Sequence, residues 1–229
     1  MSERAPLRAV LFDLDGTLLD TAPDLAGALN RVRHACGLAP LPLSIIRPHV
    51  SHGSFALTRL GFDLIDSDPD FEPLRRRLLD EYHAGIADLT RPFDGIREAL
   101  GWLQARGVRW GIVTNKPGWL TTPLMGEIDL GYPPGCVVSG DTLTTRKPDP
   151  APLLHAAECL GVAPAACLYV GDAERDVEAG RRAEMQTLIA LYGYLGAADH
   201  PEDWGADGML ETPRALRPWL EQRWAAHGV

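Results

Sequence analysis

The sequence predicts an α/β protein: a doubly wound parallel sheet interrupted by an inserted helical cap. Three observations predict it. Five short apolar runs, at residues 9–12, 110–113, 136–138, 167–170 and 187–191, do not alternate with polar residues, as expected of strands covered on both faces. Helical patterns separate most of these runs, which is the βαβ rhythm of a parallel sheet. Nearly a hundred residues, helical in pattern, then separate the first run from the second.

The elements follow in chain order. The first strand ends at Phe12, where Asp13 interrupts the apolar run. Thr21-Ala-Pro-Asp24 has the form of a helix start, with the threonine hydroxyl placed to accept backbone N–H bonds. That helix runs to about Cys36, before Gly37. Pro40, Pro42 and Pro48 punctuate the next loop, and 71–89 is an amphipathic stretch with Leu74, Leu78, Leu79 and Tyr82 on one side. Residues 20–89 therefore form the predicted cap, inserted into a core of 1–19 and 90–229. In that core a helix over 94–106 stops at Gly107, and another opens at Asp149 and Pro150 and ends at Gly161.

Composition narrows the function. With 22 Lys+Arg against 31 Asp+Glu, the net charge of −9 argues against nucleic acid or an anionic membrane as partner. A small phosphorylated metabolite remains compatible, because a few local cations serve one phosphate. The four cysteines, Cys36, Cys136, Cys159 and Cys167, lack the spacing of a zinc or redox pair and read as reduced, buried thiols. The apolar run at 9–12 is too short for a signal peptide or a spanning helix, which predicts a cytoplasmic protein.

Ligands of open α/β sheets bind at the carboxyl ends of the strands, and here those ends carry unusual residues. The first ends in Asp13-Leu-Asp15-Gly16-Thr17 and the second in Thr114-Asn115-Lys116. Lys147-Pro148 precedes the helix at Asp149, and the fourth strand ends in Gly171-Asp172 with Asp176 beyond it. Asp13, Asp15, Asp172 and Asp176 on one sheet edge repel one another unless cations intervene. Mg²⁺, which takes carboxylates, waters and phosphate oxygens, is the natural neutraliser, and Lys147 supplies a second cation. Asp13 is then placed to attack phosphorus and form an aspartyl-phosphate. Asp15, two residues on, is placed to protonate the leaving oxygen and later to deprotonate water. Gly16 lets the backbone turn closely around the phosphate. Thr114, Asn115 and Lys147 are the expected partners of the phosphoryl oxygens. Asp172 is expected to ligate the metal, and Asp176 to ligate it or orient its waters.

These residues resemble the motifs of the haloacid dehalogenase superfamily of phosphohydrolases. Asp13-Leu-Asp15-Gly16-Thr17 matches its first motif, Ile112-Val-Thr114-Asn115 its second, Lys147-Pro-Asp149-Pro its third, and Gly171-Asp172 with Asp176 its fourth. The resemblance implies a Rossmann-like core with a helical lid, phosphatase activity, and Mg²⁺ bound by Asp13, Asp172 and the backbone carbonyl of Asp15. Within the superfamily, Leu19-Asp20-Thr21-Ala22-Pro23-Asp24 and Thr114-Asn115-Lys116-Pro117 are similar to the phosphoglycolate phosphatase branch. Val50-Ser51-His52-Gly53, Tyr192-Gly-Tyr194 and the segment from His200 to Asp207 are similar to bacterial N-acetylmuramate 6-phosphate phosphatases. Phosphoglycolate phosphatase and sugar phosphomutase are the alternatives. A receiver-type signalling module is disfavoured, since Asp15 follows the nucleophile and a lid is present.

Specificity has to come from the cap, since the core motifs see only the phosphate. The segment 47–59 offers Arg47, His49, Ser51, His52, Ser54 and Arg59, of which Arg47 and His52 are the expected readers of the leaving group, with Phe55 as an apolar wall. Arg75-Arg-Arg77 reads as the solvated face of a helix. His34, His83, His155 and His227 read as exposed, and Trp102, Trp110, Trp219 and Trp224 as packing residues.

Overall fold

The structure, a computed structural model, describes residues 6–225, with side chains to residue 222. His227 and the side chain of Trp224 lie outside the described residues. The chain builds β1 (Ala9–Phe12), β2 (Leu19–Asp20), α1 (Ala22–Ala35), α2 (Leu43–Ile46), α3 (Gly53–Phe62), α4 (Phe71–Ala84) and β3 (Arg91–Pro92). It continues through α5 (Ile96–Ala105), β4 (Arg109–Val113), α6 (Gly118–Glu127), β5 (Val137–Val138), α7 (Ala151–Leu160) and β6 (Cys167–Gly171). It ends with α8 (Glu174–Arg182), β7 (Gln186–Ala190), β8 (Gly208–Leu210) and α9 (Leu216–Ala225).

Six strands form one parallel sheet in the order β5-β4-β1-β6-β7-β8. The chain works outward from β1 through β4 and β5, then returns to lay β6 on the other side of β1. The β1–β6 seam is therefore the topological switch point, where open sheets hold their ligands. Strand side chains alternate between two cores. Val10, Phe12, Ile112, Leu168 and Val170 face one with α5. Ala9, Leu11, Val113, Cys167 and Tyr169 face the other with α7 and α8.

The five predicted strands are present within a residue or two. The sequence does not predict β8, which is three residues long and offers no apolar run. The helix expected over 94–106 starts at Ile96, because Gly95 sits at φ 97°. The helix expected over 71–89 stops at Ala84, where Gly85 leaves the helical conformation. Cys36 and Cys159 are exposed, correcting the expectation of buried thiols; all four cysteines are free.

The chain leaves the sheet along β2 and returns along β3, which pair antiparallel (Leu19↔Pro92, Asp20↔Arg91). Between them α1, α3 and α4 pack on one another, burying Leu25, Leu29, Leu57, Leu78 and Tyr82. Asp24 ties the two ends of this excursion together. Its buried carboxylate accepts the N–H groups of Leu89 (3.0 Å) and Thr90 (2.8 Å) and the Thr90 hydroxyl (2.7 Å). Asp24→Ala strands those donors, two of them buried, so a loss of roughly 2–4 kcal/mol is expected, measured as a lower midpoint in urea at unchanged slope.

Thr21 does not cap α1 with its hydroxyl, as the sequence suggested. A residue distant in the chain caps it instead. The Tyr194 hydroxyl accepts the N–H groups of Thr21 (2.7 Å) and Ala22 (3.0 Å) and donates to Asp20 Oδ1 (2.9 Å). This leaves the Thr21 hydroxyl free to donate to Asp15 Oδ1 at 2.6 Å.

Candidate active site

Asp13 follows β1 at the switch point and is buried. Its Oδ1 accepts the N–H of Leu14 (2.8 Å) and pairs with Lys147 Nζ (2.9 Å). The fully buried Lys147 ammonium also meets Asp176 Oδ1 (2.9 Å), the Val113 carbonyl (2.9 Å) and the Tyr169 hydroxyl (2.7 Å). A buried ammonium requires such pairing, because desolvation otherwise costs several kcal/mol. Asn115 fixes the lysine's backbone: its Nδ2 donates to the Lys147 carbonyl (2.9 Å) and its Oδ1 accepts the Lys147 N–H (3.1 Å). Asn115 thus acts on Lys147 from below, leaving one amide proton for any ligand.

Asp176 sits in the first turn of α8, where Oδ2 accepts the Ala173 N–H (3.1 Å) and Oδ1 faces Lys147. Burial raises its pKa, but the charges of Lys147 and Arg175 outweigh that and hold it below the usual carboxylate range. Asp172 differs. Its Oδ2 accepts the Ser51 hydroxyl (2.6 Å) and the Tyr194 N–H (2.9 Å). Its Oδ1 is buried without a partner among the described residues. Burial, then the charges of Asp176 and Asp13, push its pKa up to about 7. Burial raises Asp13 as well, against the pull of Lys147.

Oxygens of Asp13, Asp172 and Asp176 lie within 4.8 Å of one another. Three clustered carboxylates, one with an orphaned oxygen and two disfavoured as anions, fit a hard divalent cation. The Asp15 carboxylate is not part of that cluster. It accepts the Thr21 hydroxyl and pairs with Lys116 Nζ at 3.0 Å. Lys116 in turn reaches the Tyr82 hydroxyl (3.2 Å) on α4 and lies over its ring (4.6 Å). Gly16, at φ 80°, is pressed against this centre: a Cβ there would overlap the Asp172 carboxylate and crowd the Tyr194 ring. Only glycine fits.

A cavity of about 840 Å³ opens above Asp13, Asp15, Thr114 and Lys147. Ser51, His52, Ser54 and Phe55 line it, as the sequence suggested. Arg47, His49 and Arg59 do not. Arg47 instead pairs with Asp20 (3.0 Å) and lies over the Tyr194 ring (5.0 Å), bracing the β2–α1 junction. This corrects its expected place at the leaving group: the short turn at 47–49 carries it toward the linker. Arg75 and Arg76, read as a solvated face, also line the cavity, and Arg75 lies over Phe55 at 4.6 Å.

Several site residues are not evident from sequence reasoning. Lys116 stands inside a motif without an assigned role. Tyr169 is hidden in an apolar run, where one polar tip gives little signal. Tyr194 acts across more than 170 residues of chain. Trp119 and Arg175, both on the cavity wall, carry no local signal that sets them apart.

An open parallel sheet with buried carboxylates and a lysine at its switch point defines a Rossmann-like enzyme acting on an anionic ligand. The chain belongs to the haloacid dehalogenase-like hydrolase family, whose model matches residues 10–190. It is 43% identical over 220 residues to the N-acetylmuramic acid 6-phosphate phosphatase of Pseudomonas aeruginosa, covering 96% of this chain and 97% of that one. It is 44% identical over 211 residues to the phosphoglycolate phosphatase of Xylella fastidiosa, covering 91% of each. The crystal structure of a predicted phosphoglycolate phosphatase from Haemophilus somnus superimposes with a TM-score of 0.81 at 23% identity, covering 93% of this chain and 97% of that chain, and shares the fold. The protein is a phosphomonoester hydrolase. Among the described residues no helix is long and apolar enough to cross a membrane.

Proposed function

We propose that the protein is a Mg²⁺-dependent phosphatase of N-acetylmuramate 6-phosphate, working through an aspartyl-phosphate on Asp13. Residues 20–89 form the cap over a core of 1–19 and 90–229. The observation that carries the substrate is the cavity: about 840 Å³ is drug-sized space, far more than a two-carbon acid phosphate occupies. Its walls suit an acidic sugar. Phe55 and Trp119 line it while 40% and 46% exposed, offering apolar faces to a pyranose ring. Arg76 and Arg146 also line it and make no ion pair among the described residues, so they are available to the lactyl carboxylate. Burial, and then the nearby Arg175 charge, lower the pKa of His52, which suits it to hydrogen bonding rather than to charge pairing. The name of the Pseudomonas aeruginosa relative supports the same substrate.

In the reaction, an Asp13 carboxylate oxygen attacks phosphorus as the bond to the sugar oxygen breaks. Asp15 gives that oxygen its proton. Water then attacks phosphorus, Asp15 takes the water's proton, and inorganic phosphate leaves as the Asp13 carboxylate is restored. Asp13, Asp172 and the Asp15 backbone carbonyl would hold Mg²⁺, which would supply positive charge to the carboxylates and the phosphoryl group. Asp176 and Asn115 hold Lys147, whose charge favours the ionised Asp13 against its burial.

The test compares kcat/KM for N-acetylmuramate 6-phosphate and phosphoglycolate with Mg²⁺ present. A large preference for the sugar ester is expected, and a preference for phosphoglycolate sinks the substrate reading. Trp119→Ala is expected to lower kcat/KM for the sugar ester roughly tenfold, the scale of one lost ring contact, while leaving phosphoglycolate hydrolysis nearly unchanged.

A further inference from the structure

The two carboxylate oxygens of Asp15 have different surroundings. Oδ1 accepts the Thr21 hydroxyl (2.6 Å) and pairs with Lys116 Nζ (3.0 Å). A carboxylate oxygen offers about two lone pairs, so Oδ1 is fully engaged. Oδ2 meets no partner among the described residues, and Asp15 stands on the cavity wall. Oδ2 is therefore the oxygen left to exchange a proton with a ligand in the cavity.

The core fixes Lys116 at its backbone. Its N–H donates to Thr114 Oγ1 (3.1 Å), and its carbonyl accepts the Gly140 N–H (2.8 Å) and the Thr121 hydroxyl (3.1 Å). Gly140 packs so closely on the neighbouring Asn115 carbonyl that a Cβ there would overlap it. The lysine side chain, 6% exposed, then runs between Asp15 and the cap, where its ammonium meets the Tyr82 hydroxyl (3.2 Å) and lies over the Tyr82 ring (4.6 Å). Burial opposes its charge, but Asp15 and then Tyr82 outweigh that, so the lysine stays a cation. A buried ion pair of this kind adds little stability over a pair of apolar side chains. What the lysine does to Asp15 accounts for its place.

We propose that Lys116 is a positioning residue for the proton transfers: with Thr21 it engages Oδ1, so that Asp15 gives and takes its proton through Oδ2, and Tyr82 of the cap keeps the lysine in place. The inference rests on the reading of Asp15 as general acid and base. In the first step the Oδ2–H bond breaks as the proton passes to the sugar oxygen leaving phosphorus, and the carboxylate left behind is paired with the ammonium. In the second, Oδ2 takes a proton from the attacking water.

The test compares N-acetylmuramate 6-phosphate with an aryl phosphate, whose leaving group needs no proton, on the Mg²⁺-loaded full chain. Because kcat/KM covers only the steps up to loss of the alcohol, it isolates the one in which the acid acts. Lys116→Met, which keeps the buried stem, is expected to lower kcat/KM for the sugar ester roughly ten- to hundredfold, a part of what general acid catalysis supplies, and for the aryl phosphate less than about threefold. Tyr82→Phe, which keeps the ring and removes the hydroxyl, is expected to lose about three- to tenfold on the sugar ester alone, the scale of one hydrogen bond. In an Asp15→Asn background Lys116→Met is expected to add nothing further, because it acts through the carboxylate that is gone. Thermal midpoints show that each variant folds; should Lys116→Met not fold, Tyr82→Phe carries the same comparison. Equal losses on the two substrates, full additivity with Asp15→Asn as for a residue touching the substrate, or a faster variant each overturn the inference. An Asp15→Asn variant that hydrolyses the sugar ester at the wild-type rate overturns the reading beneath it instead.

Discussion

Asp13→Asn is expected to abolish turnover, with kcat reduced at least ~10⁴-fold, the scale seen when a covalent nucleophile is removed. The fold is expected to survive the change. The asparagine Oδ1 still accepts the Leu14 N–H, and Lys147 keeps Asp176, the Val113 carbonyl and the Tyr169 hydroxyl as partners. Phosphate release and a thermal melt on the same preparation check both halves. An active variant removes Asp13 as nucleophile; an unfolded one shows that the Asp13–Lys147 pair is structural first.

Asp172 gives the second large effect, in how Mg²⁺ and pH act together. In the metal-free protein its pKa rises from an ordinary 3.8 to about 7, through burial and then the charges of Asp176 and Asp13. Between those values the folded chain holds a proton that the unfolded chain has released. Stability from this group is therefore complete below about pH 4 and is lost as pH rises through about 7, by at most about 4 kcal/mol. Mg²⁺ is expected to reverse the trend, because binding to the ionised carboxylate would displace that proton. Its stabilisation grows with pH up to about 7 and then levels off. Thermal midpoints with Mg²⁺ and with chelator, from pH 5 to 9, should show the gap widening and then holding. Asp172→Asn should flatten the metal-free profile, remove the Mg²⁺ effect and eliminate activity. A Mg²⁺ shift independent of pH in the wild-type protein contradicts the assignment.

The core was legible because its signals are local. A strand buried on both faces shows as an unbroken apolar run, and a polar residue at its end stands out, so β1 with Asp13 and β6 with Asp172 could be read directly. The cap side was harder to read. Arg47 and Arg76 are both surface-type arginines in the sequence, and only tertiary packing puts Arg76 on the cavity wall and Arg47 against Asp20 and Tyr194. Long-range contacts left no local trace either. Nothing near Tyr194 says that its hydroxyl caps α1, and the Thr21 motif pointed to a self-sufficient cap. The buried pairing of Lys147 comes from Tyr169 and Asp176 meeting it in space, a fact of register between β6 and α8 rather than of spacing.

A phosphoryl group on Asp13 can be trapped chemically. Asp15→Asn with an aryl phosphate, whose leaving group needs no proton, should form the aspartyl-phosphate and stall before hydrolysis. Acid quench, borohydride reduction of the acyl phosphate and peptide mass spectrometry then locate it. Homoserine at position 13, dependent on both substrate and Mg²⁺, is the expected product. Reduction at another carboxylate, or none at position 13 while a burst of aryl alcohol is released, would contradict it.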